Sequence, residues 1–392
     1  MQQDVRVERG NSATLGRVEG NLKVEKNATI EAADGSNRQV TVAGSARFRG
    51  DCTINCDFEC RSLKVEKGTL RVAGNLLVHG DVDVENALYV DGSIAAEGGV
   101  AGGGIISAGS IKCRVVRVGG TLKVSDTLDA ESVKVGGKVI VQKAMLVDLS
   151  VGGQAEIGSG AVQGQIRVGG TLLSKSELEF DSITVGGRVE LGTAKGRGIN
   201  VGGRLATTGD LACEKIKVGG IVEVGGNCSG ATLEVGGETR VAGSLALTGK
   251  LGVGGDLQVK DTMTGADIGV GGRFKAGKAI LTGWAWIGGQ VETGAGLKAG
   301  GGIKIASHAE CKGPLVGGMV ELGKRCKVQD VYGSKVVAGK GAEAEKIVAD
   351  EIEIHDGCTV GQTTYTRRLE TGRNVTSKSA SEKVASLPAF PL

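Results

Sequence analysis

The stretch VGGTLKVSDTLDAESVKVGG, residues 118–137, decides the fold. With Val118 as position 1, the apolar residues are Val118, Leu122, Val124, Leu128, Ala130 and Val133, at positions 1, 5, 7, 11, 13 and 16. Leu122/Val124, Leu128/Ala130 and Val133/Val135 are pairs two residues apart, and side chains at i and i+2 share one face of a strand. Three such pairs, parted by short polar or glycine stretches, spell three short strands joined by three corners. No 3.6-residue period runs through them, so almost no helix is expected.

The unit repeats. Val-Gly-Gly begins again at Val135, Val151, Val168, Val185, Val201, Val218, Val235, Val253 and Val270, and Ile-Gly-Gly at Ile287, in steps of 16 to 18 residues. Val201 leads Leu205, Thr207, Leu211, Cys213 and Ile216, and Val253 leads Leu257, Val259, Met263, Gly265 and Ile268. Val316, followed by Val320, Leu322, Cys326, Val328 and Val331, and Val348, followed by Ile352, Ile354, Cys358 and Val360, read as further starts. Strands recurring at this period bury their apolar faces by winding into a solenoid in which like side chains stack on like. The expectation is all-β: a right-handed parallel β-helix of triangular coils of about 17 residues. Roughly 21 coils fit between Val5 and about Val375, a rod of about 100 Å at one strand spacing per coil. The first coil falls in an N-terminal segment, 1–17. A continuous β-helix covers 18–376, and 377–392 is a tail, disordered or capping. Residues 31–39 read as a small loop. The steps from Ser107 to Val118 and from Ile287 to Ala299 read as coils shortened by one face.

Composition agrees. Glycine supplies 70 of 392 residues and proline only 3, against an ordinary glycine share of about 7%. Without a Gly-X-Y triplet collagen is excluded, and 40% hydrophobic residues argue against a flexible linker. Glycines at positions 2 and 3 are expected to turn the corner with positive φ. Proline is scarce because each strand donates hydrogen bonds to a neighbouring coil. Lys and Arg number 47 against 44 Asp and Glu, mixed along the chain, so no basic face for nucleic acid is expected. No run of 18 apolar residues predicts a membrane span, and Met1-Gln2-Gln3-Asp4 does not read as a signal peptide. Nine cysteines, an odd number, suit reduced thiols and a cytoplasmic location.

Short V-x-G-x-(V/L)-x-V units, Val-Gly-Gly corners and the 17-residue coil over residues 18–365 resemble the bactofilins, the polymer-forming cytoskeletal proteins of bacteria and archaea. The tail from Glu382-Lys383-Val384 to Leu387-Pro388 is similar to tails of archaeal members. The resemblance implies a β-helix that assembles end to end into non-polar filaments without nucleotide, its main partner being itself. Other cytoskeletal or envelope proteins are further partners it implies. Members ordinarily carry a shorter β-helix, so this chain looks expanded. Many carry an apolar N-terminal segment that touches membrane, and Met1–Val7 does not match one. Physics points the same way, because a terminal coil exposes unpaired backbone groups that template pairing. Val5, Val7 and Leu15 mark the N-terminal edge, and Leu369 and Val375 the C-terminal one. Leu387 and Phe390 lie in a tail that folds over an end if the chain stays monomeric. The competing reading is a rigid solenoid that binds a protein partner on a flat face without polymerising.

No catalytic, metal or cofactor residues are expected. Cys113, Cys213, Cys228, Cys311, Cys326 and Cys358 fall at inward positions, where cysteine acts as a small hydrophobe. Cys52, Cys56 and Cys60 are spaced by four without a CxxC pair, and Cys52 fits an inward position. His79, His308 and His355 are far apart and point outward. The step is not the multiple of six of the hexapeptide acyltransferases, and the long coils and loop-borne Asp/Arg clusters of polysaccharide lyases are missing. Asp is missing from the glycine turns where a calcium-binding nonapeptide needs it. Gly-Gly here precedes a strand, not the helix N-terminus that holds phosphate. Trp284 and Trp286 are the unusual feature: with Ala285 and Ile287 inward, both indoles point outward side by side, as at interface hot spots.

Overall fold

The computed structural model describes residues 3–34 and 38–391. Met1 and Gln2 of the N-terminal segment, residues 35–37 of the expected loop and Leu392 of the tail lie outside the described residues. Those described form strands and no helix, paired in parallel about 17 residues apart. Compactness divides the chain into two units, Met1–Gly192 and Thr193–Leu392. Each is a β-solenoid, and together they make about 22 turns.

In the first unit every coil has three faces. Face one carries Val65, Val84, Gly102, Val118, Val135 and Val151 in successive coils. Face two carries Leu88, Ile106, Leu122, Val139 and Ala155. Face three carries Leu76, Ile94, Ile111, Leu128 and Ala144. All six apolar residues of the quoted unit are buried. Burying one Val, Leu or Ile side chain is worth about 1.5–3 kcal/mol, and the same six positions recur coil after coil. The second unit repeats the plan. Its face one runs from Val201 through Val218, Val235, Val253 and Val270 to Ile287, Ile305, Leu322 and Ala338.

This register corrects the two shortened coils. Val118 stacks on Gly102, not beside Ser107, so Gly103 and Gly104 are the preceding corner. Ile287 continues in Ile305, whereas Ala299 belongs to face three, between Leu281 and Gly317. Both coils are complete. The starts assigned to Val316 and Val348 are also corrected. Leu315, Val331 and Ile347 hold the inward column, so Val316, Tyr332 and Val348 point outward. They are nevertheless buried, for a reason described below.

The glycines act differently from the expectation. None of the Val-Gly-Gly glycines has positive φ. What excludes a side chain is the coil beneath: a Cβ on Gly137 would lie 2.6 Å from the Gly120 carbonyl oxygen, and one on Gly153 2.6 Å from that of Gly137. The corner backbones touch, and Gly137 N–H donates to Gly120 O at 3.1 Å.

Positive φ is found elsewhere, at Arg38, Gly160, Gly296 and Gly313 and at a second kind of corner. Gly10, Asn27, Gly50 and Lys67 adopt it in the first unit, and His308, Arg325, Gly341, Gly357 and Asn374 in the second. In the second unit these corners bond coil to coil, as from Arg325 N–H to Lys340 O at 3.0 Å. A left-handed conformation costs a non-glycine residue about 1–2 kcal/mol. Arg325, at φ 56°, is held there by its neighbours. Arg325→Gly is therefore expected to raise stability by about 1 kcal/mol, read as a later denaturant midpoint; an unchanged or earlier midpoint counts against the strain.

A side-chain ladder stitches other corners. Asp57 Oδ1 accepts the Asn75 N–H at 2.6 Å, and Asn75 Oδ1 accepts the Ser93 N–H at 2.9 Å. Asp210, Asn227 and Ser244 repeat the pattern in the second unit at 2.7 and 2.9 Å. Each bond satisfies an N–H that a corner would leave unpaired.

Candidate interaction surfaces

Among the described residues the first coil is paired on one side: its strands Val5–Val7, Ser12–Leu15 and Arg17–Val18 each pair with the coil that follows and with no other. Val5 N–H donates to Asn21 O at 2.9 Å and Glu25 N–H donates to Val7 O at 3.0 Å. Alternate residues of a parallel strand bond to the same neighbour, so the Arg6 N–H and C=O face the free side. Val7 is buried, while Val5 and Leu15 are half-buried at this edge.

At the other end the edge is partly covered. Thr359 and Val360 pair with Thr376 and Ser377, and Thr364 and Tyr365 with Glu382 and Lys383. Among the described residues no strand pairs with the far side of Arg368–Thr371. Leu369 sits half-buried on that open third, and Val375 is half-buried just after the left-handed corner at Asn374.

The tail then turns onto a flank. Leu387 and Phe390 pack against Val316, Tyr332 and Val348, with the Phe390 and Tyr332 ring centroids 5.6 Å apart. These five side chains explain why an outward column is buried. They also place the apolar residues of the tail on face three, not across the terminal coil.

Trp284 and Trp286 stand outward between buried Ala285 and Ile287. Their rings stack at 6.0 Å with 15° between planes. Trp284 lies on Gly301 and Gly302, where added Cβ atoms would come within 2.8 and 2.6 Å of the indole. Trp286 is 44% exposed, and the two preceding coils carry Gly269 and Gly252 in its column.

Eight of the nine cysteines are buried and Cys113 is half-buried, all as free thiols. Burial pushes the Cys60, Cys228 and Cys311 thiols up to about 12. Thiolate is the reactive and metal-binding form, so these groups are inert near neutrality. Among the described residues no group of three His, Cys, Asp or Glu is arranged to hold a metal ion. His79 lies between Glu59 at 2.8 Å and Glu97 at 3.1 Å, and hydrogen bonds to these carboxylates raise its pKa. It is half-exposed. His308 and His355 are exposed and separate.

The sequence reading did not mark the tail's contact column. Val316 and Val348 were apolar at plausible inward positions, and Tyr332 in line with them was the available signal. Comparison with family models, curated proteins and solved structures gave no match to this chain.

Proposed function

We propose that the protein is a structural component that polymerises end to end without nucleotide, in the manner implied by the bactofilin resemblance. The observation that carries this reading is the free side of the first coil, an unpaired β edge without a proline or a covering segment among the described residues. A second chain presenting its last coil satisfies those donors and acceptors. The uncovered third at Arg368–Thr371 offers a place to begin, and displacement of 376–384 completes the seam. In this reading the protein is cytoplasmic and not an enzyme. No helix among the described residues is long and apolar enough to cross a membrane.

Arg6→Pro tests the proposal. It deletes an edge donor while Val5 and Val7 keep their bonds to the next coil, and proline is tolerated at such edges. Negative-stain microscopy should show filaments for the unaltered chain and for Arg6→Ala, and discrete particles for Arg6→Pro. Filaments of equal length from Arg6→Pro would remove the first coil from the mechanism. The second reading, a rigid scaffold that binds a protein partner without polymerising, is favoured by the outward Trp284/Trp286 pair, of which Trp286 is exposed. It predicts discrete particles for all three chains at every salt and protein concentration.

A further inference from the structure

On face one of the second unit, the outward residues form a single column, coil by coil: Lys217, Glu234, Gly252, Gly269, Trp286, Lys304 and Glu321. The column holds a knob and a hole. Trp286 is the knob. The hole is open: a Cβ on Gly252 would meet nothing within 4 Å, and one on Gly269 only the Leu251 carbonyl oxygen at 4.0 Å. Along the adjoining edge Gly254, Gly271 and Gly288 carry no side chains either, so another surface can approach closely.

We propose that this face pairs with the same face of a second copy, antiparallel, about a two-fold axis at Gly269. The assignment follows from reading the column backwards. Reversal about Gly269 sets Trp286 opposite Gly252 of the second copy, Lys304 opposite its Glu234, and Glu321 opposite its Lys217. Every knob meets a hole and every charge meets its opposite, and the relation is mutual, as a two-fold interface requires. In the neighbouring column the same operation brings Lys250 over Trp284 of the second copy, a cation–π pairing. The one unfavourable apposition is Asp267 with its counterpart, whose Oδ1 already accepts the Trp284 N–H at 2.8 Å. Coils spaced at about 4.8 Å put the two Trp286 indoles about 10 Å apart, flanking the bare Gly269 row.

The charges explain what the pairing adds. Lys217 and Glu234 are about seven-tenths exposed and Lys304 about six-tenths, and their contacts are within one chain, Lys217 with Glu234 at 3.7 Å and Lys304 with Glu321 at 2.9 Å. Exposed pairs of this kind contribute little alone. Two such pairs from each copy interleave into a rim around a dry aromatic centre, the arrangement of interface hot spots. The inference uses no residue of the first or last coil and does not depend on end-to-end growth.

Sedimentation velocity on the Arg6→Pro chain tests it apart from polymerisation. A reversible dimer is expected, weakened by salt. Trp286→Ser and Gly252→Arg should each raise its dissociation constant at least about tenfold. Gly252→Arg enters open space, so a denaturant midpoint no lower than that of the unaltered chain confirms that it acts on pairing and not folding. Glu234→Lys should weaken the dimer, and adding Lys304→Glu should restore it. If Arg6→Pro still polymerises, filament width gives the reading: paired filaments that Trp286→Ser splits into single ones. A monomer at high micromolar concentration, or a dimer indifferent to both Trp286→Ser and Gly252→Arg, overturns the proposal. Loss of filaments with retention of the dimer leaves it standing.

Discussion

Gly220→Ala is expected to destabilise the second unit by about 1–3 kcal/mol, far more than one methyl group suggests. The new Cβ would sit 2.4 Å from the carbonyl oxygen of Gly203 and 3.3 Å from its carbon. Neither atom can rotate away. That oxygen accepts hydrogen bonds from the N–H groups of Gly220 at 3.1 Å and Ile221 at 3.2 Å, so parting the coils weakens both. The glycines of the next coil, Gly236 and Gly237, rest on this corner in the same way, and a shift passes upward. Gly252→Ala is the control. It lies in a strand of the same unit with open space around the added methyl. Fewer unfolded conformations should give it a gain of about 0.4–1 kcal/mol. Urea midpoints followed by circular dichroism distinguish the two, and equal midpoints would show that the corner stack yields freely.

A second large effect is expected in alkali. Cys60, Cys228 and Cys311 are pushed from 9.0 up to about 12, chiefly by burial, with negative neighbours Glu59 and Glu310 adding to the first and third. Below pH 9 these thiols are protonated whether the chain is folded or not, and their contribution is constant. Between pH 9 and 12 the unfolded chain releases protons that the folded chain keeps, so stability falls as pH rises. Each thiol accounts for about 1.4 kcal/mol per pH unit. By pH 11 the three together should remove a large part of the stability of an ordinary domain. The protein should therefore unfold within this window while resisting thiol reagents at neutral pH. Replacing Cys228 by Ala should flatten the fall by the share of one thiol. A midpoint unchanged between pH 9 and 11, or an equal slope in the variant, would contradict the assignment.

How much of this was legible can be judged from particular residues. The Val column from Val118 to Ile287 was plain because valine and glycine mark the same corner each time. Past Ile287 the mark fades. Ile305 is followed by Ala306-Ser307 and Leu322 by Gly323-Lys324, because the corner changes from touching glycines to a left-handed residue. Val316 carries the same tripeptide, Val316-Gly317-Gly318, at an outward position, and so passed for a corner residue together with Val348. A strand period of two cannot distinguish a column facing the core from one facing a covering tail. The work of the glycines was likewise hidden, since composition says that side chains are excluded but not by what. Only the register shows Gly203 O beneath Gly220. At the surfaces, the outward Trp pair followed from alternation with Ala285 and Ile287. Its self-complementary setting did not, because Gly252 and Lys304 become neighbours of Trp286 only through coil stacking.

The stacked columns have a consequence for how such a molecule can change over time. Each ladder joins residues one coil apart, so the chain can be lengthened or cut only by whole coils. Excising residues 219–235 would join Val218 to Gly236 and return each inward side chain to its column. Excising one residue fewer would leave a surplus that a corner has to absorb as a bulge, as between Val124 and Thr127, or else turn a face inside out. Duplication of a coil, in contrast, demands no new core. The repeat is thus a quantum of heredity, and the molecule's size is a tally that copying errors can raise one step at a time.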